Sequence, residues 1–440
     1  MKRRFKVLLM ASILLAAVGI FSFGTTELVF WNAPFNTGEV TQEYVNWWEA
    51  NVDQALPAGF TVSHYFGPGS YTPMLNNFIL QAKTGKPDVI EGLIENLTVY
   101  TRMNLLSSLN NWFNNWDQKD EFVKSTIDAV TINGNIYALP YNTNVRVLLY
   151  RKDIFAKYGL SVPKTWSELV TTAASITKLT GGKIYGFNFS SAVNDPRAFQ
   201  EFMSWYFQAS DKNPMFKNVN GTWVVTATAS QLAKVLQLYH DLIYSTNDGY
   251  SAVNPQDRGD NYTQEDLGYV SGQYAMVPMG PWLWGRLNDN ELAHTILASD
   301  TGIAALPIPS DGVHASYLEV KPIMINKFSK YQDADWALLK FIVSKDAMAR
   351  WAEQSGFLPA RKDSFEIYKQ YADEHGFGWW VEGFEEQMAY GVGLAPVNWA
   401  PVQKDITTAI NMVIYNVSTV NETANWLYSK LNELSSQGVL

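Results

Sequence analysis

Acids and aromatic rings are the residues of this chain with the chemistry to act. It holds 16 Trp, 23 Tyr and 23 Phe beside 42 Asp and Glu, five His and no Cys. Two carboxylates about 5–10 Å apart suffice for glycoside hydrolysis, and Glu382, Glu385 and Glu386 lie close in sequence to Trp379 and Trp380. At helical spacing the same three acids equally form a solvated face, and no identifiable partner raises their pKa. The absence of cysteine removes disulfides, thiolate catalysis and zinc–thiolate sites together. The histidines, at positions 64, 240, 294, 314 and 375, lack metal-ligand spacing. Neither a phosphate-cradling GxxxxGKS/T nor HExxH nor GxSxG occurs. No catalytic residue, metal or cofactor is therefore expected. The aromatic excess, 14% of the chain, fills a core or lines a site, since aromatic faces pack well on the C–H faces of sugar rings.

The elements that would position such side chains alternate at short spacing. Strands are predicted over 27–31, 61–66 and 86–90, each followed by a helical segment, over 44–49, 74–81 and 97–103. That alternation predicts parallel α/β units, whose ligands sit beyond the strand C-termini. Trp31, Asn32 and Asn36 follow the first strand, Tyr71 follows the second and Glu91 ends the third, so all five are candidate ligand-binding residues. The β-rich run 137–150, YALPYNTNVRVLLY, contains Pro140, which marks an edge, a strand start or a crossing between units. Thr165 and Glu168 have capping-box spacing at the start of a helix running to about residue 180. Leu232, Val235, Leu236, Tyr239, Leu242 and Ile243 form a helical core stripe. Further helices are predicted over 333–344 and 421–434.

At 440 residues the chain is long enough for two or three globular units. Lys2, Arg3, Arg4 and Lys6 precede an apolar run over 7–20 and the small residues Ser22 and Gly24, the layout of a secretory signal peptide over 1–24. The run is shorter than the roughly 20 residues a membrane span needs. Removing those four cations leaves 29 Lys and Arg against 42 acids, a formal charge of −13. Such a surface repels nucleic acid and anionic lipid. No cysteine is present to carry a lipid anchor, so the expected location is a soluble, secreted, periplasm-like one.

Four ordered blocks carry a resemblance to a family. Residues 85–106 (GKPDVIEGLIENLTVYTRMNLL) resemble its G-x-P-D strand and following helix. Residues 130–169 are similar to its N-G-x-x-Y-x-x-P, Y-x-K-D and P-K-T-W-x-E run. Residues 271–287 (SGQYAMVPMGPWLWGRL) match its G-x-x-A-M and G-P-W signature, and residues 317–361 its return strand, helix and L-P-A-R segment. The family is that of the extracellular sugar-binding proteins of ABC importers, similar to maltose-binding protein, and the likeness spans most of the chain.

The resemblance implies an α/β, two-lobed periplasmic-binding-protein fold, type II-like, with hinge crossings near 142–144, 316–319 and 357–359 and a ligand cleft between the lobes. The lobes would be 25–143 with 317–357, and 144–316 with 358–440. It implies a carbohydrate ligand, the permease subunits of an ABC transporter as partners, and a monomer. Trp282 falls on the family's sugar-stacking tryptophan, Glu95 and Asn96 on a pair that bonds hydroxyls, and Asn144 on a glutamate at the lobe crossing. Glu319 lies near the second crossing; Trp399, Arg361 and Trp379 lie in the closing segment. Gly92 stands where a stacking tryptophan is usual, and Pro34 with Phe35 replaces an Asp–Lys pair, so maltose itself is not implied. A secreted glycoside hydrolase, or a binder of the same fold for a peptide or polyamine, remain open readings.

Overall fold

A computed structural model describes residues 25–32, 41–65, 71–286 and 294–440. The leader, Pro34, Phe35 and Asn36 lie outside the described residues. The first sheet has six strands, in the order Leu358–Pro359, Leu139–Asn144, Glu319–Ile325, Val89–Glu91, Thr26–Trp31 and Phe60–Tyr65. Thr26–Trp31 runs parallel to both neighbours, and the helices Gln42–Ala55 and Tyr71–Gln81 make the crossovers. This is the parallel α/β unit the strand–helix spacing predicts. Glu319–Ile325 enters antiparallel between two of these strands.

Glu319 lies opposite Asn144 and Lys321 opposite Asn142, and the register then shifts between Lys321 and Pro322, where Pro322 faces Pro140. Neither proline has an N–H to give the ladder, which accounts for the irregularity. Leu358–Pro359 pairs only with Asn142 and Thr143, so the far side of Pro140 behaves as an edge. Leu358 and Pro359 therefore belong to the first sheet, two residues past the end expected at 357. They extend a strand whose backbone would otherwise stay unpaired.

The long β-rich run expected over 137–150 divides. Leu139–Asn144 stays in the first sheet, Val145 and Arg146 cross, and Val147–Arg151 becomes the central strand of a second sheet between Met276–Met279 and Thr301–Ala304. Both pairings in the second sheet are antiparallel. The helices Trp166–Leu179, Pro196–Ala209, Ala229–Tyr244, Trp399–Ile414 and Val420–Ser436 wrap it. Phe199, Phe202, Tyr239, Ile410 and Leu427 form its core with Leu148 and Met276.

Local signals set the ends of these helices. Thr165 and Glu168 form the expected capping box, as do Thr228 with Gln231 and Thr419 with Glu422. Asp195 caps Pro196–Ala209, accepting from the N–H groups of Arg197 and Ala198, with Pro196 at the first helical position. The Leu232–Ile243 stripe is buried. No helix among the described residues is long and apolar enough to cross a membrane.

Candidate functional site

The two sheets meet where the chain crosses between them, and polar side chains converge there from six elements. Asn142 and Asn144 come from the Leu139–Asn144 strand, with Glu319 and Lys321 opposite them. Arg146 lies in the first crossing and Tyr317 in the second. Glu95 sits in the first turn of the Ile94–Arg102 helix, where the unsatisfied N–H groups of a helix N-terminus favour an acid. Gln200 and Arg197 belong to the Pro196–Ala209 helix of the second lobe. Trp282 follows the Met276–Met279 strand in a 3-10 turn. A Cβ on Gly280 would lie 1.8 Å from the Trp282 ring, so only glycine lets the indole fold back here.

These groups form one bonded chain across the lobes. Tyr317 Oη and Gln200 Nε2 both donate to Glu95 Oε1, each at 2.8 Å. Arg146 Nη2 donates to Gln200 Oε1. Arg146 Nη1 donates to Asn144 Oδ1 at 2.6 Å and to Glu319 Oε2 at 3.1 Å, and Asn144 Nδ2 also reaches Glu319 Oε2 at 3.1 Å. Lys321 Nζ takes the other Glu319 oxygen at 2.5 Å. The guanidinium carbons of Arg146 and Arg197 lie 4.5 and 4.7 Å from the Trp282 ring centroid, and Phe357 is tilted against it at 5.5 Å.

Burial acts on the two glutamates with opposite results. Burial alone would raise Glu319, but the charges of Lys321 and Arg146 outweigh it and hold the carboxyl at about 2. Burial, with the nearby Glu319 charge, raises Glu95 despite its two donors. Behind Trp282, Arg197 is locked on Asp266 and lies 3.5 Å from Glu265. Burial also drives the facing carboxyls Glu201 and Glu265 upward.

Several polar atoms here are buried without a hydrogen-bond partner among the described residues. They are both amide atoms of Asn142, Glu95 Oε2, Arg146 Nε and Trp282 Nε1, and both amide atoms of Asn32, just past the first strand, are unpartnered as well. Buried polar atoms in native proteins are almost always paired, so a convergent set of orphans marks a place built to receive polar groups.

Of the residues singled out in the sequence, the structure brings together Glu95, Asn144, Trp282 and Glu319. Asn32 is buried just past the first strand, and Glu91, wholly buried at the end of the third, bears electrostatically on Tyr44 and Tyr141. Trp31 is half-buried against the first core, Asn96 is half-buried beside Glu95, and Tyr71 opens its helix. Three others are engaged elsewhere. Arg361 is paired with Asp363 and bonded to Gln118 and the Val343 carbonyl within the first lobe. Trp379 packs on Trp284 and Trp380 with Lys152 over its ring. Trp399, 2% exposed, donates to the Ala395 carbonyl and packs on Phe199 and Phe216. Large rings in a closing helix serve the core when apolar neighbours surround them, which decides these placements.

Arg146, Gln200, Tyr317 and Lys321 were not anticipated as site residues. Arg146 carried a signal, because a lone guanidinium within the apolar run VRVLLY must be buried and therefore paired. At Gly92, a Cβ would meet the Met324 methyl at 2.5 Å, so the missing aromatic leaves no gap; Met324 occupies it. Glu382 and Glu385 are half-exposed and face Lys369, a solvated surface rather than a catalytic pair. Among the described residues no three His, Asp or Glu are grouped to hold a metal.

Residues 54–377 match the family described as bacterial extracellular solute-binding protein. A putative binding protein of Brucella abortus is 26% identical over 284 residues, 63% of this chain and 64% of that relative, so the match spans under two thirds of the relative's length. Among solved structures, maltose-bound MalE3 of T. maritima superposes with a TM-score of 0.76 at 22% identity, covering 93% of this chain and 99% of that one. A Thermotoga lettingae ABC transporter solute-binding protein bound with α-D-tagatose superposes at 0.73 and 21% identity, covering 93% and 100%. These likenesses give the two-lobed fold. With the family match over residues 54–377, they place this chain among the bacterial extracellular solute-binding proteins.

Proposed function

We propose that this protein captures a carbohydrate between its two lobes and delivers it to the membrane subunits of an ABC importer. The lobes would divide close to 144 and 317, with the third passage beyond Ser364, whose hydroxyl still bonds the Lys345 carbonyl of the first lobe, and the chain would act as a monomer outside the cytoplasm once its leader is removed. One observation carries the reading: polar atoms from both lobes and the first crossing, buried and unpartnered, lie around one junction. A hydroxyl both donates and accepts, so a polyhydroxylated guest satisfies amide N–H, amide C=O and carboxylate groups together. The ligand bonds groups on both lobes only when they are shut, and that difference in affinity shifts the population toward closure. A micromolar ligand supplies about 8 kcal/mol, enough to bias a gap of a few kcal/mol.

The hydrolase reading meets an obstacle at Glu319. Its oxygens are occupied by Lys321, Arg146 and Asn144, which leaves it poorly placed to attack an anomeric carbon. Thermal-shift screening across sugars tests binding, because a ligand at 100 times its Kd stabilises by about 2.7 kcal/mol. Reducing ends released from oligosaccharides by the purified protein would instead favour the enzyme.

A further inference from the structure

The orphaned atoms define a ligand more narrowly than the sugar reading on which this inference rests. The two Asn amides, Arg146 Nε and Trp282 Nε1 offer N–H donors; the two amide oxygens and Glu95 Oε2 offer acceptors. That mixture fits hydroxyls, which do both, and fits a charged group poorly. A guanidinium fork is the strongest carboxylate holder, but Arg146 has both terminal nitrogens engaged on Asn144, Glu319 and Gln200, leaving only Nε. The same ligand would also face the Glu95 carboxyl, while Arg197, the other cation against Trp282, is already locked on Asp266. Glu319 is already matched by Lys321 and Arg146.

Size follows from the rings. A row of sugar rings is held by a row of open aromatic faces. Here Trp282 is 5% exposed, with two guanidiniums and Phe357 against it, and its buried N–H has no partner. Among the described residues, Trp379 and Trp399 are packed elsewhere, Trp31 lies half-buried against the first core, and position 92 carries no side chain. One flank is also closed, because Gln200 of the second lobe bonds Glu95 of the first directly at 2.8 Å. A chain of sugars extending past Glu95 would have to break that bond.

We infer that the ligand is a compact, uncharged polyol, a single sugar ring or an alditol of similar size, held edge-on by hydrogen bonds to Asn32, Asn142, Glu95, Arg146 and Trp282. Asn32 and Asn142 act directly on it.

Isothermal titration of the full chain tests this with four sets of probes: neutral monosaccharides and alditols, maltotriose with arabinotriose, glucuronate, and glucosamine with spermidine. The expected result is saturable binding of at least one neutral monosaccharide or alditol, at least about tenfold tighter than either trisaccharide. Asn142→Ala should weaken that binding by about tenfold or more, and Asn32→Ala similarly. Both variants should leave the ligand-free Tm unchanged or slightly raised, since each deletes a buried amide with nothing to bond. Tightest binding to a trisaccharide would overturn the size inference while leaving the sugar reading standing. Preference for glucuronate or glucosamine would overturn the uncharged assignment alone. Binding of spermidine only, or of no probe, would remove both. A large fall in ligand-free Tm for Asn142→Ala would show that its amide is structural and remove it from the site.

Discussion

Trp282 is the residue whose truncation is easiest to misread. Its ring is enclosed by two guanidiniums and Phe357, so Trp282→Ala would open a cavity and cost about 3–5 kcal/mol of stability. Weaker ligand binding in that variant would then say nothing about contact. Trp282→Phe keeps an aromatic body between the guanidiniums and deletes the N–H. It is expected to weaken ligand binding about 5- to 30-fold with little change in unfolding midpoint, checked by titration calorimetry beside urea unfolding. The position of Trp282 was legible because Gly-Pro-Trp is a local pattern. Its enclosure was not, because Arg146 and Arg197 approach from residues far away in sequence. Gln200 was invisible for the same reason: a glutamine in a helix gives no local hint that it bonds a glutamate 105 positions away.

At the scale of elements, the helix starts were the most readable features. The Thr165–Glu168 box sits at the exposed start of Trp166–Leu179, with Glu168 Oε2 returning to the Thr165 N–H at 3.2 Å. Thr165→Ala should cost about 1 kcal/mol and leave ligand affinity unchanged, measured by chemical denaturation and titration on the same preparation. Strand order and direction were less readable. Val147–Arg151 and Leu139–Asn144 form one β-rich run in the sequence; Pro140 allows an edge or a crossing there, but nothing local puts the change of sheet at Val145 and Arg146. Equally, a short apolar strand looks the same whether its partner runs parallel or antiparallel, so the antiparallel second sheet lay beyond a local reading.

For the molecule as a whole, the crossings carry a pH dependence of known sign. Glu319 is held at about 2 in the folded protein against an ordinary carboxyl value of 4.5. A depressed carboxyl contributes stability above its unfolded pKa and loses it as pH falls through the folded one. Wild-type stability from this group should therefore fall between about pH 5 and pH 2, by on the order of 3 kcal/mol at most. In Glu319→Gln, Arg146 and Lys321 lose their counter-charge at every pH. The gap between the two proteins in urea midpoints should be widest above pH 5 and close on acidification; a constant gap would refute the assignment. Glu201 and Glu265 act in the opposite sense. Their raised carboxyls bind protons in the folded state, so that contribution is complete at acid pH and is lost as pH rises.

The Met324 methyl beside Gly92 has a consequence for how this protein diversifies. It is the tip of an unbranched, easily turned chain rather than fixed backbone, so a swing of one thioether would admit a side chain at position 92. A side chain there would next meet Leu75 and Pro322, 3.5 and 3.8 Å from its Cβ. Gly92 paired with Met324 is thus a position that can take on bulk by moving one flexible group, without disturbing either sheet.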